Sequence, residues 1–338
     1  MKYIWLESDL EPDDILAIFI LIMRGYIPKY IVVGESDSRI KKARMVEYIN
    51  ILKSDKLLPF ELECKIIKGN SSDKFFENDG NEFDNLKLDV VDDICDYSKN
   101  LRNYVNEVEN PTIVCLKPCR ELLENSCKIS DILNKISIYF YGSFNFRALK
   151  SKSAELIELM SKFKLCYVYE SHYASGRNNS LNITTMPKTT ELLINSKYRY
   201  INILKNLVYL WNNHITNSSL SKLRNILSKY NINSDLTVET ILDVDIENIL
   251  RDSKMNSDDI DSFNRSYKIC KSKIENNNFE LVLADIGLAV MLEIDKYAVS
   301  GKISLDGYTQ FVEDSNSNIY IYRNVDINWD TIISEYLK

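Results

Sequence analysis

Short apolar runs alternate along this chain with stretches of helical length. Residues 3–6 form an apolar run that predicts a strand, and 7–12 predict the turn leaving it. Residues 13–23 predict a helix with an acidic start and an apolar body. A β-branched run at 30–34 predicts the next strand. A helix over 39–52 follows, capped by Asp37 or Ser38, with Ala43, Val46, Tyr48, Ile49 and Leu52 on its buried side. Further strands are predicted at 64–68, 112–116, 136–141, 165–168 and 319–322, and helices at 86–105, 154–160 and 329–337. This rhythm predicts an α/β fold, a doubly wound and mainly parallel sheet with flanking helices. Ligands of such sheets gather at the carboxyl ends of the strands.

Residues 181–279 have helical periodicity, with separate helices expected at 198–211, 219–227, 238–250 and 262–274. Asn- and Ser-rich joints are expected at 212–217 and 231–233. The pattern predicts one domain over 1–338, with 181–279 as a helical accessory or lid region within it. Polar loops are expected at 77–82, 142–147 and 170–177, and turns at 299–302 and 306–307. No internal repeat is evident.

Composition narrows the function classes. With 338 residues and 45 % hydrophobic content, the chain is long enough for a substantial core. A formal net charge of -7 argues against a broad nucleic-acid face, although basic residues cluster between Arg39 and Arg44. The longest apolar helix body, 15–23, is too short to span a bilayer. Seven cysteines form no CxxC pair, and no signal-peptide pattern opens the chain. Reduced thiols in a cytoplasmic or intracellular protein are the expectation. Cys115 and Cys119 are four apart, but no second pair or nearby histidine completes a zinc site.

The chemistry is concentrated in acids. Glu7, Asp9, Asp13 and Asp14 collect around one strand end and one helix start. Such a group is costly unless a cation or a shared proton compensates it. An acid-rich first turn stabilised by the helix dipole accounts for Asp13 but leaves Asp9 and Asp14 unexplained. Asp285 opens a second apolar helix. His172 and His214, the two histidines, do not have the spacing of a paired-histidine metal site.

The segment Glu7-x-Asp9-x-Glu11-x-Asp13-Asp14-Ile15 resembles the Asp-x-Asp-x-Gly-x-Asp-Asp-Ala signature of the inosine-uridine-preferring nucleoside hydrolases. Lys117-Pro118-Cys119-Arg120-Glu121-Leu122 is similar to the family's Gly-Pro-Leu-Thr-Asn-Leu. Phe144-Asn145 is similar to the end of its Glu-Phe-Asn, and Asp285 with Leu288-Ala289-Val290 to its His-Asp-Pro-Leu-Ala-Val. Glu11, Lys117, Ser143, Ala284 and Glu35 depart from the pattern. Glu35 stands where the family has the asparagine of a Gly-Asn pair.

The resemblance implies a Ca2+-dependent hydrolase of N-ribosyl bonds acting on a nucleoside or another ribosylated small molecule, with no nucleic-acid or membrane partner. A homo-oligomer is compatible with it. Asp9, Asp14, Asp285 and the carbonyl of Arg120 would hold Ca2+, a hard cation that takes oxygen ligands. Asp9 would also activate the attacking water, and Asp13 and Asn145 would grip ribose hydroxyls. Ala284 stands where many members carry a leaving-group histidine. Arg147, His172, Tyr173 and His214 are the alternative donors. The rival expectation is an inactive relative that binds a ribosyl ligand or a protein partner.

Overall fold

The computed structural model describes residues 1–35, 38–70, 96–149, 152–170, 183–232, 236–238, 240–243, 248–250, 255–275, 283–306 and 308–338. The first half of the chain winds strand and helix in turn. Strands β1 (Lys2–Ser8), β2 (Tyr26–Val33) and β3 (Lys65–Lys68) alternate with helices α1 (Pro12–Met23) and α2 (Ser38–Ser54). Helix α3 (Tyr97–Glu107) leads to β4 (Thr112–Cys115), α4 (Arg120–Glu124) and α5 (Ser126–Ile129). Strand β5 (Ser137–Tyr141), α6 (Ser143–Leu149), α7 (Ser153–Met160) and β6 (Leu165–Tyr169) follow.

Helices α8 (Pro187–Ile194), α9 (Arg199–Lys229), α10 (Ser257–Glu275) and α11 (Ala284–Met291) come next. The chain closes with β7 (Ala298–Asp306), β8 (Tyr308–Glu313), β9 (Ile319–Tyr322) and α12 (Trp329–Tyr336). The predicted loops at 77–82 and 170–177, the latter except Glu170, lie outside the described residues, as do residues 86–95 of the helix predicted over 86–105.

Among the described residues, nine strands form one sheet in the order β3-β2-β1-β4-β5-β6-β9-β7-β8. All neighbours from β3 to β9 pair in parallel, and β7 pairs antiparallel with both β9 and β8. The doubly wound, mainly parallel expectation therefore holds. The chain winds outward from β1 to β3 and then crosses back to β4 beside β1. This reversal puts the sheet's topological switch point at the carboxyl ends of β1 and β4, the place where such folds take ligands. The Leu116 N–H donates to the Glu7 carbonyl (2.9 Å), so the two strand ends are tied there.

Burial explains the central elements. Residues 4–8 of β1 are all buried, as expected for a strand covered on both faces. Helix α1 is apolar almost all round and packs against both the sheet and α11. Trp5 stacks on Tyr30 at 5.4 Å within the main core.

The chain divides into two compact units, Met1–Asn202 with Val282–Lys338, and Ile203–Leu281. The first holds the sheet. The second has its own apolar cluster, which includes Leu220, Leu223, Leu227, Ile241 and Phe263.

Five local expectations are corrected. Strand β1 runs on through Glu7 and Ser8, so the turn begins at Asp9. The predicted loop 142–147 is mostly helix α6. The predicted joint at 212–217 lies inside the continuous helix α9. There the Asn212 amide and the Thr216 hydroxyl donate to carbonyls four residues back (2.9 and 2.8 Å), so these polar residues sit inside the helix without breaking it. The predicted turn at 299–302 is strand β7, where Gly301 leaves room for the ring of Phe311 on β8. On α2, Val46 faces solvent while Met45, Tyr48, Ile49 and Leu52 face the core.

Candidate metal centre

The centre is assembled from the loop after β1, the first turn of α1 and the first turn of α11. Asp13, Asp14 and Asp285 each bring a carboxylate oxygen within 4.8 Å of the others. Asp14 and Asp285 are buried and Asp13 is half-buried. Helix α11 brings Asp285 across 271 sequence positions by packing against α1.

Asp14 is held at both oxygens. Ser8 Oγ donates to Oδ1 (2.7 Å) and the Glu11 N–H to Oδ2 (3.2 Å), the latter as part of a capping box that starts α1. Ser8 Oγ also accepts from the Leu10 N–H (3.0 Å), and Leu10 itself is in the left-handed region at φ 59°. Lys41 of α2 donates to the carbonyl of Asp9. The Asp9 carboxyl is a hydrogen-bonding neighbour of Asp14, and the backbone N–H of Asp285 donates to Asp13.

Three carboxyls share one desolvated space, and their proton affinities rise. Burial, followed by the charge of Asp9, pushes Asp13 up to about 7. Burial and then the charges of Asp9 and Asp13 push Asp14 well above the usual carboxylate range. Asp285 is raised by burial and by the charges of Asp13, Asp14 and Asp9. In the ion-free centre these shifts favour the protonated carboxyls. A divalent cation would relieve the same repulsion.

One atom tests that fit. Asp285 Oδ1 is buried and has no hydrogen-bond partner. A buried acceptor left bare costs roughly 1–3 kcal/mol. An all-oxygen set with one bare carboxylate oxygen suits a hard cation such as Ca2+. The acidic cluster could therefore coordinate a divalent ion.

The other expected site residues are placed as follows. Arg120 opens α4 at the carboxyl end of β4. Its Nε donates to Glu35 Oε1 (2.7 Å) and its guanidinium to the Ala148 carbonyl (3.2 Å). Asn145 is buried on α6, and its amide donates to the carbonyls of Leu116 (2.9 Å) and Tyr141 (3.0 Å). Ala284 opens α11. Arg147 lies on α6 and His214 on α9, but their side chains are outside the described set. His172 and Tyr173 lie wholly outside the described residues.

Sequence reasoning missed the partners that hold Glu7. This carboxylate is fully buried at the end of β1. It accepts from Tyr97 (2.5 Å) and Trp5 (3.2 Å), and Lys117 Nζ lies 3.6 Å from it. Lys117 also pairs with Glu121. The signal was present, since Glu7, Lys117 and Glu121 all differ from the signature they resemble. Read singly, they gave no hint that they meet.

No family model matches the chain, and no curated protein does. Solved structures match over the whole length. A plant nucleoside hydrolase superposes with a TM-score of 0.60 at 13 % identity, covering 100 % of this chain and 98 % of its own. The fold is that of the nucleoside hydrolases. A purine-preferring ribonucleoside hydrolase from Gardnerella vaginalis gives 0.55 at 11 % identity, covering 100 % and 99 %. An inosine-guanosine nucleoside hydrolase gives 0.53 at 10 %, covering 99 % and 97 %. These nucleoside-hydrolase-like chains are distant relatives in fold. Among the described residues, no helix is long and apolar enough to cross a membrane.

Proposed function

We propose that this chain is a divergent Ca2+-dependent hydrolase of N-ribosyl bonds. The observation that carries this reading is the meeting of Asp13, Asp14 and Asp285 at the sheet's switch point, with Asp285 Oδ1 buried and bare. Asp14 and Asp285, with Asp9 and the carbonyl of Arg120, would hold the ion. Bound Ca2+ supplies the positive charge that lets these carboxylates share one space and that polarises an oxygen nucleophile.

The remaining work falls to side chains of this chain. Asp9, half-exposed at the mouth of the loop, orients the attacking water and takes its proton. Asp13 grips the ribose hydroxyls. Ser8 and the Glu11 N–H hold Asp14 in place, so the carboxylate does not reorganise when substrate arrives. With alanine at 284, the described residues supply no assigned acid for the departing base. We therefore expect kcat/KM to rank a nitrophenyl riboside and nicotinamide riboside above inosine and uridine.

Two measurements test the reading. Chelator-stripped protein should bind Ca2+ by calorimetry, and Asp14→Asn should weaken that binding. Asp9→Asn should abolish turnover of the best riboside while keeping the circular dichroism of the wild type. Wild-type turnover by Asp9→Asn rejects the role given to Asp9. The second reading, a non-catalytic ribosyl-binding protein, is favoured by Asn145, whose amide is already donated to two backbone carbonyls. A protein that binds Ca2+ and ribose but turns over none of the four substrates would establish it.

A further inference from the structure

We infer that Lys117 is the positioning residue of the acid centre: its buried ammonium is a built-in cation that holds the carboxyl end of β1, through Glu7, where Ser8, Asp9 and Asp14 are presented. Three positions carry the argument. Lys117 and Glu7 are both fully buried, and Glu121 nearly so. An ammonium buried without a partner would cost several kcal/mol, at least about as much as a buried ion pair loses when one partner is removed. Here it lies between two carboxylates from different elements, Glu7 on β1 and Glu121 on α4.

The pairing fixes protonation as well as place. Burial pulls the Lys117 ammonium down, but the Glu121 and Glu7 charges more than offset it and leave it above its ordinary value. The two carboxylates therefore favour the charged form of the side chain. The surrounding backbone is shaped to receive it. A Cβ at Gly34 would lie 2.7 Å from Glu121 Oε1 and 3.1 Å from Lys117 Nζ, and one at Gly69 would overlap Glu121. Glu121 Oε1 also accepts from the Asn70 N–H (2.7 Å). The ends of β1, β2, β3 and β4 thus close on one buried charged group, β3 through Glu121 and not through the ammonium itself.

The link to the centre is short and covalent. Glu7 precedes Ser8, whose hydroxyl donates to Asp14 and accepts from Leu10. The Glu7 carbonyl takes the Leu116 N–H, one residue before Lys117. With the Lys117 charge removed, Glu7 would keep its Tyr97 and Trp5 donors but lose its buried counter-charge, which would loosen the strand end that presents Ser8, Asp9 and the Asp14 hydrogen bond. The Glu7 carboxylate, committed to Lys117, Tyr97 and Trp5, is likewise kept out of the ion's shell.

Only the ion-binding arm of the test rests on the proposed function. Lys117→Met keeps the length and removes the charge. Amide hydrogen exchange of ion-free protein should then speed up by about tenfold or more at Leu10, Glu11 and Leu116, while β6 amides stay protected. Leu159→Ala, a buried change on α7, is the control for general destabilisation. Ca2+ affinity should fall by about tenfold in Lys117→Met and stay unchanged in Leu159→Ala. Should Lys117→Met fail to fold, Glu121→Gln tests the same link, with a smaller change in the same direction. Exchange at the three amides no faster than in Leu159→Ala overturns the inference. Faster local exchange in a protein whose wild type binds no Ca2+ keeps the positioning role and rejects the metal reading.

Discussion

Ser8 is the smallest polar side chain in the acid centre and one of the most constrained. Its hydroxyl donates to Asp14 and accepts from Leu10, so one oxygen joins the strand end, the loop and the helix start. Ser8→Ala should destabilise by about 1–2 kcal/mol, since it leaves the Leu10 N–H without its acceptor and Asp14 without a donor. Loss of that donor should also raise Asp14 further, because the Ser8 bond favours the ionised carboxylate. Chemical denaturation and a carboxyl titration by NMR measure the two effects. The departures from the resembling signature also make sense residue by residue. Glu7 meets Lys117, Lys117 meets Glu121, and Glu35 meets Arg120. Five substitutions that look independent in the sequence resolve into two ion-paired groups beside the acid centre.

Helix α11 shows how an element is fitted to a neighbour. Its Gly287 has no room for a side chain, because a Cβ there would lie 2.5 Å from Tyr169 Cε1 and 2.5 Å from its hydroxyl oxygen. Tyr169 closes β6 and is fully buried. Alanine is the better helix former by about 1 kcal/mol. Overpacking a full core costs about 1–3 kcal/mol, and here the ring has little space to retreat. Gly287→Ala should therefore lower stability, with Ca2+ affinity falling too because Asp285 sits on the same first turns. Tyr169→Phe would not relieve Gly287→Ala, since the ring carbon stays in the way. Thermal unfolding of the single and double variants measures this.

At the level of the whole molecule, protons and a divalent ion would compete for one centre. Asp13, raised to about 7 from an ordinary 3.8, binds a proton in the folded state that the unfolded chain releases between those values. Its contribution to ion-free stability is complete below the lower value and is lost as pH rises through the upper one. On the proposed reading, bound Ca2+ would reverse the trend, because it needs the ionised carboxylates. Ion-free protein should therefore unfold at a lower midpoint at about pH 8 than at about pH 5, while the Ca2+-induced rise should be larger at about pH 8. At about 100-fold excess over Kd the ion would add about 2.7 kcal/mol. Scans in chelator and in Ca2+ at both pH values check the crossing. All three acids belong to the unit Met1–Asn202 with Val282–Lys338, so protection from hydrogen exchange by Ca2+ should concentrate there.

The periodicity of apolar residues was enough for the winding of β1 to β6 and the parallel sheet, because strands buried on both faces have few other ways to hide continuous apolar runs. It also marked the acids at 9, 13, 14 and 285 as out of place in such surroundings. It misjudged the helix through 212–217, since Asn212 and Thr216 can bond within a helix as well as break one. Tertiary structure decided what local pattern cannot carry. It brought Asp285 beside Asp13 and Asp14, left Asp285 Oδ1 without a partner, and joined Glu7 to a lysine 110 positions away. The physical reason is range. Hydrophobic period and capping act within a few residues, whereas the energy of a buried charge depends on which distant groups the fold places within a few ångströms of it.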